Sequence, residues 1–229
     1  EYDGTELTTS ALVEVSGDGF VGDDGIDIVM TGRQLLTGTS DNTFTYVFKE
    51  GTDGRNYEIT PSFGTLTVTP RGSDDLFKIT VEAAGGEAVY DGTEHKTAGI
   101  IRTEFEINGV IYTVEGIDAQ VKGTDAGSYT STVTGTPIVR DGNGNDVTDQ
   151  FSIVPVDAEL VIARRNVTLT SASMAREFDG TPLTAEDVTI GGDGFAEGEG
   201  AVFEVTGSQL TAGSSSNTFT YALTADRKS

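Results

Sequence analysis

The chain has 229 residues, with 37 Asp and Glu against 14 Lys and Arg, for a formal net charge of −23. That acidity excludes electrostatic docking onto a nucleic-acid backbone or an anionic membrane surface, and no apolar run of about 18 residues exists to insert into a bilayer. With no Cys and one His, His95, the composition also excludes disulfides, thiolate catalysis, Cys-based metal sites and His-pair sites.

In chain order, the sequence opens on Tyr2-Asp3-Gly4-Thr5. Asp-Gly reads as a turn, because the carboxylate bonds amides two residues on and Gly tolerates positive φ. The ring before it is expected to anchor the turn in a core. A Gly-rich loop follows (Gly17 to Phe20), then Thr31 to Gly38 and the segment Asn42 to Tyr46. Thr65 to Thr69 alternates polar and apolar residues, as a half-buried strand does. Phe77 to Glu82 reads as a strand, and a second turn follows at Tyr90-Asp91-Gly92-Thr93. Ser128 to Val133 alternates again, and Asp146 to Gln150 is the best candidate for a short helical turn. A further strand is expected at Asn166 to Thr170, before a third turn at Phe178-Asp179-Gly180-Thr181 and an alternating end at Thr218 to Tyr221. β-branched and aromatic residues suit a pleated surface with Thr on its wet face.

Self-similarity organises these elements. Residues 1–46 and 177–221 align with one single-residue gap: EYDGTELT with EFDGTPLT, GDGF with GDGF, TGRQLLTG with TGSQLTAG and NTFTY with NTFTY. A more divergent copy lies between them. Its Asp149 to Ala163 matches Asn56 to Pro70, pairing Tyr57 with Phe151, Ile59 with Ile153, Pro61 with Pro155, Leu66 with Leu160 and Val68 with Ile162. Three repeat units are expected: 1–70, whose leading strand is missing; 71–165, complete; and 166–229, whose closing strands are missing. The parent protein is therefore expected to continue on both sides. The joints, Pro70-Arg71-Gly72 and Ala163-Arg164-Arg165, read as short connections. The predicted fold class is mainly β, with tandem small antiparallel domains, β-grasp-like or sandwich-like, in an elongated array.

Turn chemistry accounts for all three aromatic-Asp-Gly-Thr motifs, so they are assigned a structural role. Acids cluster at Asp18, Asp23, Asp24 and Asp27, and again at Asp193, Glu197 and Glu199. Calcium takes six to eight oxygens, which such loops could supply, but a solvated turn explains them without metal. Asp141 to Asp146 resembles the opening of a calcium loop, yet its sixth position is Asp146 rather than Gly and its twelfth is Ser152. No cofactor is expected. Nucleophile–base arrangements need a His or Cys, so no enzyme is expected either.

The pattern YDGT, TG, NTFTY and NYEI-x-P-x-x-GTLTV resembles the MBG-type tandem repeats of bacterial surface adhesins. That resemblance implies β-grasp-like modules related to mucin-binding domains, located outside the cell on the bacterial surface. It implies a structural stalk role in which neighbouring repeats of the same chain are the partners. Two other readings stand beside it. One is a module binding host glycan or a matrix protein, with Tyr46, Tyr112 or Tyr129 stacking on sugars. The other is a strand-exchanging filament subunit with open sheet edges.

Overall fold

The computed structural model describes residues 1–10 and 13–224. Among these residues the chain is mainly β, built as many small, chiefly antiparallel sheets. The strands of the first repeat are β1 (Ile26–Met30), β2 (Gly38–Asn42), β3 (Phe44–Phe48) and β4 (Gly64–Val68). The second contributes β5 (Phe77–Glu82), β6 (Gly86–Val89), β7 (His95–Ala98), β8 (Glu104–Ile107), β9 (Val110–Gly123), β10 (Gly127–Ser131), β11 (Val133–Asp141), β12 (Phe151–Val156) and β13 (Ala158–Ala163). The third holds β14 (Val167–Ser171), β15 (Val188–Gly192), β16 (Gly200–Val205) and β17 (Phe219–Thr224). Short 3-10 turns occupy Gly54–Asn56 and Thr148–Gln150.

Contacts divide the chain into two compact units. One comprises Glu1–Glu82, Ile100–Ile117 and Thr134–Val156; the other comprises Ala83–Gly99, Asp118–Val133 and the chain from Asp157 on. The division runs through residues of the second repeat.

In the first unit, β1 pairs antiparallel with β3, setting Met30 opposite Phe44, and β2 pairs antiparallel with β4, setting Gly38 opposite Val68. β5 lies parallel to β12, with Phe77 opposite Phe151. Alternation decides what is buried: Leu66 and Val68 of β4 point inward, as do Ile79 and Val81 of β5, while the Thr and Lys between them face water. Burying each such apolar side chain stabilises the fold by about 1.5–3 kcal/mol. An aromatic cluster completes this core. Tyr112 packs on Phe151 with ring centroids 4.8 Å apart, Phe77 packs on Phe151 at 5.5 Å, and the Arg71 guanidinium stacks over Phe77 at 4.0 Å.

In the second unit, β13 sits between β10 and β6, antiparallel to the first and parallel to the second. Leu160 and Ile162 are buried there. β14 pairs antiparallel with β15, and β16 with β17, setting Val205 opposite Phe219 as Met30 is set opposite Phe44.

In the second repeat β5 thus runs parallel to β12 and β6 parallel to β13, Phe151 facing Phe77 and Leu160 facing Gly86 at the same sequence offset. One expected strand is interrupted. Ser128 to Val133 breaks at Thr132, where Asp157 accepts hydrogen bonds from the Thr132 hydroxyl (3.3 Å) and the Val133 amide (3.1 Å).

Candidate functional site

The three aromatic-Asp-Gly-Thr motifs fold into one and the same turn. Asp3 Oδ1 accepts from the Thr5 amide at 2.8 Å and the Thr5 hydroxyl at 2.7 Å. Asp91 does so with Thr93 at 2.8 and 2.7 Å, and Asp179 with Thr181 at 2.9 and 2.7 Å. The intervening glycines take φ of 87°, 83° and 81°, the left-handed region that only Gly enters readily. Asp146 and Thr148 repeat the carboxylate arrangement at 3.1 and 2.6 Å. In each case the Thr hydroxyl, then the Thr amide, hold the Asp carboxyl below the usual carboxylate range. In the second turn His95 Nε2 also stands 3.0 Å from Asp91 Oδ1.

The rings beside these turns differ in environment. Tyr2 is 1 % exposed, Tyr90 half-buried and Phe178 68 % exposed. The main chain beside the first two is paired with a later segment. The Tyr2 amide donates to Thr69 O (2.8 Å) just past β4, and the Tyr90 amide donates to Ala163 O (2.9 Å) at the end of β13. Two residues further on, an arginine returns to the same aromatic residue: Arg71 Nη1 donates to Tyr2 O at 2.9 Å, and Arg165 Nη1 lies 3.5 Å from Tyr90 O. The Tyr2 ring is then covered by Tyr112, with the hydroxyls 3.4 Å apart. Burial, with that hydroxyl contact, raises the Tyr2 phenol well above the usual tyrosine range.

The joint arginines are thus clasps rather than spacers. Arg71 also donates from its amide to buried Gln150 Oε1 (2.9 Å) and from Nε to Asp75 O (2.6 Å). Arg165 donates to Asp193 O (2.6 Å) and Gly194 O (2.8 Å). An Arg stands at both joints in the sequence, but nothing local marks it as a clasp. A second pair has the same character. Asn217 donates to Ala172 O (3.0 Å) and Ala185 O (2.8 Å), while Ser171 Oγ donates to Asn217 O (2.7 Å), tying β14 to its repeat. Asn42 stands at the matching place in the first repeat, and its buried Oδ1 has no hydrogen-bond partner among the described residues. The signal was the shared Asn that opens both NTFTY segments.

Three of the loop carboxylates, Asp24, Asp193 and Glu199, accept hydrogen bonds from the protein. Asp24 accepts from the Tyr57 hydroxyl at 2.6 Å, which raises the Tyr57 phenol, and Glu199 accepts from the Tyr90 hydroxyl. The carbonyls of Asp193 and Gly194 face the Arg165 guanidinium, which occupies the direction a cation would approach from. Asp141 is buried and accepts from the amides of Asn143 and Asn145, each at 2.9 Å, and from Asn145 Nδ2 at 2.9 Å. Among the described residues no three His, Asp or Glu side chains are grouped to hold a metal ion.

Of the three tyrosines considered for sugar stacking, Tyr112 is fully buried. Tyr129 is half-buried, donates to Asp125 O at 2.9 Å and covers Gly123; Tyr46 is half-buried and packs edge-on against Phe48 at 5.9 Å. The larger surface depressions are open. One of about 480 Å³ is floored by Ile79, Phe105 and Ile107, with Arg102 stacked on Phe105 at 4.8 Å. Another, of about 430 Å³, lies along Gly213 to Asn217. Among the described residues no helix is long and apolar enough to cross a membrane.

These features describe a β protein of internal repeats whose recurrent polar motifs bond to themselves. No protein family, no curated protein and no solved structure matches the chain.

Proposed function

We propose that the chain is a non-enzymatic structural repeat of the stalk of a bacterial surface adhesin, extracellular, with β-grasp-like modules in an elongated array. The observation that carries this reading is the fate of the repeated motif. In all three copies the Asp carboxylate is engaged by the Thr two residues on, so what recurs is a way of turning the chain. The parallel pairing of β5 with β12 and of β6 with β13 supports a grasp-like module. The net charge of −23 keeps arrayed chains soluble and mutually repelling.

Small-angle scattering on the purified chain tests this reading, beside a glycan and matrix-protein array. A compact domain of this length has a radius of gyration of about 17 Å. The proposal expects a clearly larger value and no saturable ligand. A radius near 17 Å would overturn the stalk, and a saturable glycan signal would favour the binding-module reading.

A further inference from the structure

Asparagine precedes glycine at Asn108-Gly109 and at Asn143-Gly144, and the structure holds the two pairs differently. Asn108-Gly109 is the tip that joins β8 to β9, with Ile107 opposite Val110. Asn108 has φ of 53°, alone among the described non-glycine residues in taking a positive φ, and Gly109 follows at 79°. Two successive positive φ values make a type I′ hairpin turn, which closes through the amide after the glycine and not through the glycine's own. Among the described residues the Gly109 amide has no hydrogen-bond partner. Both tip residues are exposed, and a Cβ at Gly109 would meet nothing within 4 Å. The Asn108 carboxamide is held loosely, Nδ2 donating to Asp3 O at 3.4 Å. At Asn143-Gly144 the same groups are tied down. The Gly144 amide donates to Asp141 O at 2.9 Å, the Asn143 amide donates to Asp141 Oδ1 at 2.9 Å, and Arg140 Nη1 donates to Gly144 O at 3.2 Å.

We propose that Asn108-Gly109 is a site of spontaneous deamidation, a modification that needs only water and that alters the hairpin where it meets the first Asp-Gly-Thr turn. The Gly109 amide gives its proton to hydroxide, and its nitrogen attacks Asn108 Cγ. The N–Cγ bond forms, the Cγ–Nδ2 bond breaks, and Nδ2 leaves as ammonia with a proton from water. Water then opens the five-membered imide. Attack at Cγ leaves aspartate, whereas attack at the main-chain carbonyl routes the chain through Cγ as isoaspartate. Glycine permits the approach because it carries no Cβ. The Asp-Gly pairs of the three turns lack this reactivity, because Thr5, Thr93 and Thr181 hold Asp3, Asp91 and Asp179 as carboxylates, which are poor electrophiles. The product changes a packed contact. The donor facing Asp3 O becomes a carboxylate, which sets oxygen against oxygen. Beside it Gly4 lies so close to β9 that a Cβ there would meet the Tyr112 hydroxyl and stand 3.3 Å from Val110 Cγ2. Isoaspartate also lengthens the turn by one backbone atom, against the register that sets Ile107 opposite Val110.

Ageing the intact chain in mildly alkaline buffer, with peptide mapping by mass spectrometry, tests the proposal. A urea-unfolded sample gives the intrinsic rate of each pair, and there Asn108 and Asn143 should react alike. In the folded chain Asn143 should lag Asn108 by about tenfold, the factor that one hydrogen bond on its glycine amide contributes. Isoaspartate should accumulate at position 108. Anion exchange separates the aged form by its added charge, and its β8 amides should exchange about tenfold faster than before, with those of β16 and β17 unchanged. Asn108→Gln, whose side chain would have to close a larger ring, should show no such change on ageing. Equal rates at the two pairs in the folded chain, aspartate without isoaspartate at position 108, or unchanged β8 exchange in the aged form would overturn the proposal. So would faster β8 exchange in the aged Asn108→Gln chain.

Discussion

Tyr2 and Phe178 occupy one motif position in two environments, which gives a controlled comparison within a single chain. Tyr2 is 1 % exposed, held by Thr69 and Arg71 on its main chain and by Tyr112 on its ring, whereas Phe178 is 68 % exposed. Truncating a buried aromatic residue costs about 3–5 kcal/mol, the lost transfer energy plus the cavity left behind. Truncating one on the surface changes stability by about 0.5 kcal/mol at most. Tyr2→Ala should therefore destabilise the first unit by about 3–5 kcal/mol, while Phe178→Ala leaves the second within about 0.5 kcal/mol. Tyr2→Phe should cost no more than about 1 kcal/mol, because the hydroxyl contact of 3.4 Å is a long one. A single denaturation midpoint would blur two units, so the measurement is local: hydrogen exchange of the slowest amides in β4 and β5 for Tyr2, and in β16 and β17 for Phe178. Equal costs at the two positions, or a Tyr2→Ala cost below about 1 kcal/mol, would refute the link between ring burial and stability.

Other expectations follow from the same geometry. A Cβ at Gly32 or at Gly207 would come within 2.6 Å of the Cα of Asn42 or Asn217, so Gly32→Ala and Gly207→Ala should each destabilise by about 1–3 kcal/mol in urea melts; two neutral substitutions would contradict that packing. Asp3, Asp91, Asp146 and Asp179 have folded pKa values lowered by their Thr partners, so their contribution is present above the ordinary aspartate range and lost as pH falls through the lowered values. Melts between pH 5 and pH 2 should show stability falling with acid, and replacing the Thr partners by Val should flatten that fall. Saturating calcium should leave the melting temperature unchanged, because among the described residues no three acidic or His side chains are grouped to hold an ion, and Asp24, Asp141 and Glu199 already accept from the protein. A bound ion at 100 times its Kd would add about 2.7 kcal/mol, and a chelator-reversible rise of that size would show the loops to be sites.

Local features were the legible part of the sequence. The strand at Phe77 to Glu82 appears with those bounds, and the short helical turn within Asp146 to Gln150 appears as Thr148–Gln150. Alternation at Thr65 to Thr69 correctly set Leu66 and Val68 inward. The Asp-Gly-Thr turns were legible because a carboxylate, a positive-φ residue and a hydroxyl two places on decide the geometry without help from the rest of the chain. What escaped were partners distant in sequence. Arg71 and Arg165 looked like joint residues because nothing local marks a guanidinium that will return to a carbonyl far upstream. The break at Thr132 depends on Asp157, which alternation at Ser128 to Val133 could not foresee.

The same separation between local and distant causes explains why one motif is buried at one end of the chain and exposed at the other. The turn at Phe178 forms with the same bonds as the turn at Tyr2, although its ring lies in water. Turn formation therefore does not require burial. Main-chain pairing at Tyr2 and Tyr90 comes from segments far downstream, ending at Thr69 and Ala163, and bringing those ends together carries a loop-closure cost that grows only as the logarithm of length. Such non-local pairing is slow relative to turn formation, so each turn is expected to be in place before its closing strand arrives. The aromatic residue then meets an amide acceptor, an apolar neighbour and an arginine in one segment. The closing segment pairs with the aromatic residue's main chain, and what packs on the ring decides its burial: Tyr112 covers Tyr2, while Tyr90 with the same main-chain pairing stays half-buried.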